Sequence, residues 1–192
     1  MSKKITHTKT EKKTVLIHGH RGFRGLFPEN TLAAFKAAAN SGITVIEFDV
    51  VISADSQVVV SHEPWMLEKT CSMPDGKPVA NGRKYNLYKM NYTEIARFDC
   101  GKRGHSDFPK QQKMPAIKPL LKDVIREMEN YTKKNGLPEM QYNIEIKCLK
   151  PGDKRFHPKP APFAKLVYDV IKPLRVSKRV FVQSFDLRVL EE

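Results

Sequence analysis

The stretch from Thr44 to His62, TVIEFDVVISADSQVVVSH, constrains the fold of this chain more than any other. Two apolar runs rich in β-branched residues flank a short polar break, a pattern typical of two buried strands. The break is too short for a parallel crossover, which needs roughly a dozen residues, so we expect an antiparallel hairpin. With Asp55 and Ser56 at its tip, the hairpin places His62 opposite Asp49, with about 5 Å between their Cβ atoms.

Two carboxylates interrupt the first of these strands. Glu47 and Asp49 are two positions apart, so they point to the same side of the strand. Carboxylates that share a face repel each other and lose hydration, and a positive partner must offset that cost. A divalent cation is the simplest candidate.

The composition is that of a globular protein, with 192 residues of which 40% are hydrophobic and 29% are charged. The formal net charge of +13 indicates an anionic partner, either a phosphate-bearing substrate, a membrane surface or nucleic acid, unless it only reflects a lysine-rich solvated surface. The start, MSKKITHTKTEKK, does not resemble a signal peptide, and no apolar run reaches the roughly 18 residues of a bilayer span. We therefore expect a cytoplasmic protein, or a periplasmic or secreted one if a signal peptide was removed.

The cysteine pattern also bears on the compartment. Cys71, Cys100 and Cys148 are an odd number and lack CxxC spacing. This pattern predicts neither a disulfide framework nor a zinc site, and it favours a reducing compartment.

The order of elements predicts an α/β domain over residues 14–192, preceded by a basic flexible tail at 1–13. Residues 63–118 form an inserted region rich in Pro, Gly, Asn and Lys, which is typical of a lid or binding loop. Four core strands are expected, at 14–17, 44–52, 142–147 and 179–184, and the second of them is also the first arm of the hairpin. Helices are expected to start near 31, 119, 162 and 185. Polar residues follow or end each of these strands, and in parallel α/β folds such residues share one edge of the sheet.

A third carboxylate, Glu145, belongs to that edge. Together with Glu47 and Asp49 it would make an all-oxygen site, which suits Mg²⁺ or Ca²⁺ better than zinc.

Histidines and fixed cations are expected beside the carboxylates. His20 and His62 could divide acid and base work near neutral pH. Arg21 offers a bidentate fork for phosphate oxygens, and Lys147 adds a point charge. These groups together predict cleavage of a phosphodiester.

An ordered set of motifs resembles the glycerophosphodiester phosphodiesterase family. The motifs are HRG at 20–22, PENT at 28–31, ExD at 47–49, VVVSH ending at His62, NIEIK at 143–147 and VQSFD at 182–186. The resemblance covers about residues 14–192. It implies a TIM (β/α)8-type barrel that hydrolyses glycerophosphodiesters to sn-glycerol 3-phosphate and an alcohol such as choline or ethanolamine, with a divalent metal.

The resemblance also implies roles for individual residues. The matching positions are His20 and His62 for the acid/base pair, Glu47, Asp49 and Glu145 for the metal, and Arg21 and Lys147 for the phosphate. Glu63 stands where the family has Asp. The family's later motifs are absent, so we expect only the N-terminal half of a barrel, as in a fragment of a longer chain.

Two other functions remain open. A phospholipase D of the sphingomyelinase type resembles the same motifs and would act on a lipid. A non-catalytic module could instead bind anions or nucleic acid through its basic surface. For the leading hypothesis we expect a small phosphodiester substrate, no specific nucleic acid, and weak contact with a membrane surface. The sequence makes no prediction of oligomeric state.

Overall fold

The computed structural model describes residues 15–192, and the predicted tail at 1–13 lies outside them. A five-stranded sheet forms the centre. Its strands are β1 (His18–His20), β2 (Val45–Ile52), β3 (Val58–Val60), β4 (Gln141–Ile146) and β5 (Val180–Gln183). The order β1-β2-β4-β5 is parallel throughout, and β3 is antiparallel to β2.

Helices connect the strands and cover the sheet. They are α1 (Leu32–Asn40), α2 (Tyr92–Ile95), α3 (Leu121–Lys134) and α4 (Pro160–Ile171). The largest core cluster joins α1, α3 and α4 to β2 and β4. In α3, apolar residues three and four positions apart form its buried face: Leu121, Val124, Ile125 and Met128.

The predicted α/β class, with four parallel strands and a hairpin, is confirmed. Four parallel strands in nearly sequential order, with intervening helices, are the arrangement of half a (β/α)8 barrel. Within residues 15–192, β1 and β5 lie at the two ends of the parallel run of strands. The longest helix there, α3, has 14 residues, against the roughly 20 that a bilayer span requires.

Both ends of the described chain differ from the prediction. The first strand is not the apolar run ending at Ile17, because only His18–His20 pairs with β2, and Val15 and Ile17 are exposed. The predicted helix after Phe185 is only a 3₁₀ turn at Leu187–Val189.

The register of the hairpin corrects the predicted pairing of Asp49 with His62. Val50 pairs with Val60, and the amide of Ser61 donates to the carbonyl of Asp49 at 2.9 Å. The reason lies in the turn, because Ser53 and Gln57 close a three-residue loop in which Ser56 has a φ of 59°. The pairing therefore shifts by one residue relative to a two-residue tip.

Residues 63–118 pack against the sheet as a second layer. Their buried side chains form a separate cluster, which includes Val59 of β3 and Val51 of β2, on the face of β2 that also carries Glu47 and Asp49. A disulfide joins Cys71 to Cys100 inside this region. The expectation of unpaired cysteines was therefore wrong, because two of the three meet in the fold and only Cys148 is free.

We expect the disulfide to contribute substantially to stability, because it closes a loop between positions 29 apart in the sequence. Replacing both Cys71 and Cys100 by Ala should lower the free energy of unfolding by about 2–4 kcal/mol. Urea denaturation of the variant against the parent measures this difference. Cys148→Ala is the control for thiol loss, and three titratable thiols in the unreduced, denatured protein would contradict the pairing.

Candidate active site

Strand register brings the polar residues of four strands into rows. Asp49 of β2 lies opposite Glu145 of β4, and Glu145 lies opposite Gln183 of β5. Two residues before Asp49 on the same strand, Glu47 lies opposite His20 of β1. Side chains two positions apart share a face, so the rows meet at the end of the parallel sheet.

The three predicted metal ligands come together at this edge. One carboxylate oxygen each from Glu47, Asp49 and Glu145 lies within 4.8 Å of the others, and all three residues are buried. Burial, followed by repulsion from the other two carboxylates, raises the pKa of Glu47 to about 7, against the opposing hydrogen bond from the backbone of Arg21. A buried set of oxygen donors that resists full ionisation fits a hard divalent cation.

Asn30 holds Asp49 in place, a role that the sequence did not reveal. Its Nδ2 donates to Asp49 Oδ2 at 2.9 Å, and its Oδ1 accepts from the Asp49 amide at 3.4 Å. Asn30 has a φ of 58°, a conformation that Asn tolerates better than most residues, and Thr31 caps α1 instead. The signal available in the sequence was an Asn directly before the cap.

Arg21 is fixed from both its backbone and its side chain. Its amide donates to Glu47 Oε2 at 2.9 Å, and its guanidinium pairs with Glu29 at 3.0 Å and with Asp49 at 3.4 Å. Gly22 follows with a φ of 80°, and a Cβ there would meet Ala34 at 2.8 Å. The buried Nε of Arg21 is the atom that faces Asp49 Oδ2 at 3.4 Å, and it makes no hydrogen bond among the described residues.

Lys147 supplies the second cation at the cluster. Its Nζ donates to Glu145 Oε1 at 2.6 Å and lies 3.4 Å from Asp49 Oδ1. Gln183 binds the other oxygen of Glu145 at 3.2 Å. The predicted phosphate-binding residues thus both adjoin the carboxylate cluster.

The two histidines differ in their surroundings. His20 is largely exposed, and its Nε2 lies 3.9 Å from Glu47 Oε2. Partial burial, then the charges of Arg21 and Arg24, lower the pKa of His20. His62 Nδ1 bonds Glu63 Oε1 at 2.8 Å, and this hydrogen bond lowers the pKa of Glu63.

His62 reaches the site despite the shifted register. It lines a cavity together with Glu145 and Lys147. A residue absent from the sequence prediction, Lys118, lines a small neighbouring cavity together with His62. Its Nζ donates to Ser61 Oγ at 2.7 Å, and burial lowers its pKa to about 8 against the attraction of nearby carboxylates. Lys118 lies in the irregular region, where no local pattern marks it.

Comparisons with known proteins agree on one family. The model of the glycerophosphoryl diester phosphodiesterase family matches residues 20–192. A glycerophosphodiester phosphodiesterase of Bacillus altitudinis is 30% identical over 172 residues, covering 88% of this chain and 57% of that protein. A lysophospholipase D of Rattus norvegicus is 30% identical over 149 residues, covering 74% of this chain and 40% of that protein.

Solved structures show the same similarity. A Silicibacter pomeroyi structure assigned as a glycerophosphoryl diester phosphodiesterase superposes with a TM-score of 0.81 at 26% identity, covering 94% of this chain and 61% of that one. An Oleispira antarctica phosphodiesterase in complex with the product sn-glycerol-3-phosphate gives 0.66 at 24% identity, covering 92% and 60%. The chain thus spans about three fifths of the length of these structures.

Asn30→Ala should weaken divalent cation binding about 10–100-fold, because Asp49 loses the partner that orients it. Isothermal titration calorimetry with Mg²⁺ and with Ca²⁺ measures the change. The matched control is Asn40→Ala on α1, which removes a hydrogen bond to Tyr131 outside the site. Equal effects of the two substitutions would argue against a role for Asn30 at the cluster.

Cation affinity should also fall in acid. A carboxyl with a pKa of about 7 takes up a proton as the pH drops below 7, and the protonated form of Glu47 competes with the cation. We expect Mg²⁺ affinity to decrease roughly tenfold per pH unit from pH 7 to 5.5, both in the parent and in His20→Ala. A flat profile over this range is the contrary result.

Proposed function

The chain belongs to the glycerophosphoryl diester phosphodiesterase family, and on that premise we propose that it hydrolyses glycerophosphodiesters to sn-glycerol 3-phosphate and an alcohol. Glycerophosphocholine and glycerophosphoethanolamine are the proposed substrates. The observation that carries the proposal is the buried carboxylate cluster with Arg21 and Lys147 beside it. The named activity of the Bacillus relative supports it, and the Oleispira phosphodiesterase, which shares the fold, binds the product sn-glycerol-3-phosphate.

A divalent cation, Mg²⁺ or Ca²⁺, is the proposed cofactor. Glu47, Asp49 and Glu145 would hold it, and their buried, all-oxygen donor set fits either ion. When bound, such a cation withdraws charge from phosphate oxygens. Asn30 keeps Asp49 oriented whether or not the cation is present, because its two hydrogen bonds lie within the fold.

Arg21 and Lys147 are the proposed phosphate contacts. The guanidinium of Arg21 is held by Glu29 and by Asp49, so its charge is fixed beside the carboxylate cluster. Lys147 adds a positive charge on the opposite side of Asp49. Two fixed cations stabilise the negative charge that develops on phosphate oxygens during cleavage.

The histidines are the proposed proton carriers. The lowered pKa of His20 keeps its ring neutral near pH 7, which suits a base that takes a proton from the attacking hydroxyl or water. The Nδ1 of His62 donates to the Glu63 carboxylate, which leaves Nε2 to face the substrate. From that position Nε2 would pass a proton to the leaving oxygen, with Glu63 holding the ring in place.

Cleavage of a lysophospholipid is a second candidate. The similarity to rat lysophospholipase D favours it, and it agrees with the lipid substrate expected from a sphingomyelinase-type phospholipase D. A binding module that acts through its +13 charge is the non-catalytic alternative. Its binding would fall steeply with salt and survive the loss of His20 and His62.

We also infer an oxidising compartment, periplasmic or extracellular, in place of the cytoplasm. The disulfide between Cys71 and Cys100 supports this, since such bonds persist mainly outside the reducing cytosol.

The decisive substitution is His62→Ala in an assay of glycerophosphocholine hydrolysis with Mg²⁺ or Ca²⁺. We expect kcat to fall about 10²–10⁴-fold, because one proton-transfer group is lost. Chelation of the metal should abolish turnover. His105→Ala is the control for loss of a histidine. His105 lies in a loop, where its Nδ1 accepts a hydrogen bond from the amide of Asp107. Activity that resists both the chelator and His62→Ala would refute the mechanism.

A further inference from the structure

A small cavity of about 30 Å³ lies against His62 and is lined by Lys118. Ser61, Glu63 and Glu29 also line it. A cavity of this size holds one or two water molecules at most, so charges that face it are weakly screened. His62 and Glu63 line the larger cavity of Glu145 and Lys147 as well. The pair therefore adjoins Lys118 in one cavity and the proposed substrate site in the other.

The backbone of Lys118 is held beside β3. Leu120 forms an antiparallel bridge with Val59, and the carbonyl of Pro119 accepts a hydrogen bond from the amide of Val60 at 2.8 Å. The segment that carries Lys118 thus runs along the strand that ends just before Ser61. Its side chain reaches that serine from a fixed backbone.

A chain of hydrogen bonds leads from Lys118 to the backbone around His62. The Nζ of Lys118 donates to Ser61 Oγ at 2.7 Å, and the Ser61 hydroxyl donates to the carbonyl of Glu63, also at 2.7 Å. The amide of Ser61 donates to the carbonyl of Asp49 at 2.9 Å. Ser61 is buried, so these bonds do not compete with bulk water. They fix the turn at 61–63, in which His62 is the middle residue.

Lys118 also acts on the carboxylate that holds the imidazole. Glu63 Oε1 lies 2.8 Å from His62 Nδ1, and this hydrogen bond lowers the pKa of Glu63 against the effect of burial. The positive charges of Lys118 and Lys147 act in the same direction. An ionised carboxylate is the stronger acceptor for an imidazole N–H. Lys118 therefore favours the form of Glu63 that orients His62.

The charge on Lys118 is present at neutral pH. Burial lowers its pKa to about 8, while Glu29, Glu63 and Asp49 oppose that shift, so most molecules carry the ammonium at pH 7. Two of these carboxylates have other cations beside them, which leaves Glu63 as the one that depends most on Lys118. These pairs are Glu29 with Arg21 and Arg24, and Asp49 with Arg21 and Lys147.

We propose that Lys118 is a positioning residue for His62: it fixes the turn at 61–63 through Ser61 and keeps Glu63 in the ionised form that orients the imidazole. Lys118 acts through His62 and makes no contact with the reacting atoms in this role. The inference rests on the proposed function, because it takes His62 as a proton carrier of that reaction.

Titration of Glu63 tests the electrostatic part without any turnover. Lys118→Met keeps the length of the side chain and removes its charge. Carbon-13 NMR of metal-free protein labelled at the glutamate carboxyls follows each group, and Glu63→Gln identifies the Glu63 signal. We expect Lys118→Met to raise the pKa of Glu63 by about one pH unit. The control is Lys36→Met, which removes a lysine that pairs with Glu127 at 2.6 Å and should leave the Glu63 signal unchanged.

An unchanged Glu63 titration in Lys118→Met would overturn the inference. Circular dichroism and thermal unfolding establish that the variant is folded. Lys118→Gln, which keeps a donor for Ser61 without the charge, takes its place if the Met variant does not fold, and the same rise in the pKa of Glu63 is expected.

A double-mutant cycle tests whether Lys118 acts through His62. With Mg²⁺ or Ca²⁺ and glycerophosphocholine, Lys118→Met should lower kcat about 10–100-fold, part of the contribution of one proton-transfer group. KM should change less than about threefold, because Arg21 and Lys147 remain. In a His62→Ala background the same substitution should lower kcat no more than about twofold.

An equal loss of kcat in both backgrounds would overturn the inference, because Lys118 would then support the fold or another group. Full activity of Lys118→Met beside an active parent would overturn it as well and leave the proposed function intact. A parent that hydrolyses no glycerophosphodiester overturns the proposed function, and with it the catalytic role of Lys118. The titration then still decides whether Lys118 keeps Glu63 ionised.

Discussion

Three carboxylates that would repel one another are held together by the strand register of a parallel sheet. The pairing of β2 with β4 sets Asp49 opposite Glu145, and the two-residue period of β2 places Glu47 on the same face. Their close approach inside the protein is unfavourable unless positive charge or hydrogen-bond donors offset it. Arg21, Asn30 and Lys147 supply part of that compensation. A divalent cation would supply the remainder.

The loops around this cluster combine structural and chemical tasks. The segment from Arg21 to Thr31 gives one residue to the proposed anion site, one to Asp49 and one to the cap of α1. The loop after β4 follows Lys147 and continues to Leu149 and Phe156, which line the same cavity as His62. The region 63–118 adds Trp65 and Lys118, and its own core and disulfide keep these side chains in place. The site is therefore fixed by tertiary contacts on every side.

Much of this arrangement could be predicted from local sequence, because strand periodicity is a local property. Glu47 and Asp49 alternate with apolar residues, and the other strands end in polar residues, so the amino-acid pattern by itself indicates a shared edge. The hairpin register could not be predicted, since it depends on Ser56 adopting a left-handed conformation in a three-residue loop. The disulfide and the position of Lys118 beside the site could not be predicted either, for a related reason. Their contacts join segments that are distant in sequence and follow no repeating pattern.

The most direct test of the account is to locate a metal and an anion in crystals of the protein soaked with Mn²⁺ and inorganic phosphate. Anomalous scattering should place one Mn²⁺ within about 2.0–2.6 Å of oxygens from Glu47, Asp49 and Glu145. The phosphate should lie between that ion and the side chains of Arg21 and Lys147. An anomalous peak elsewhere, with the carboxylates still paired only to Arg21 and Lys147, would contradict the central claim. So would a phosphate that is remote from the side chains of Arg21 and Lys147.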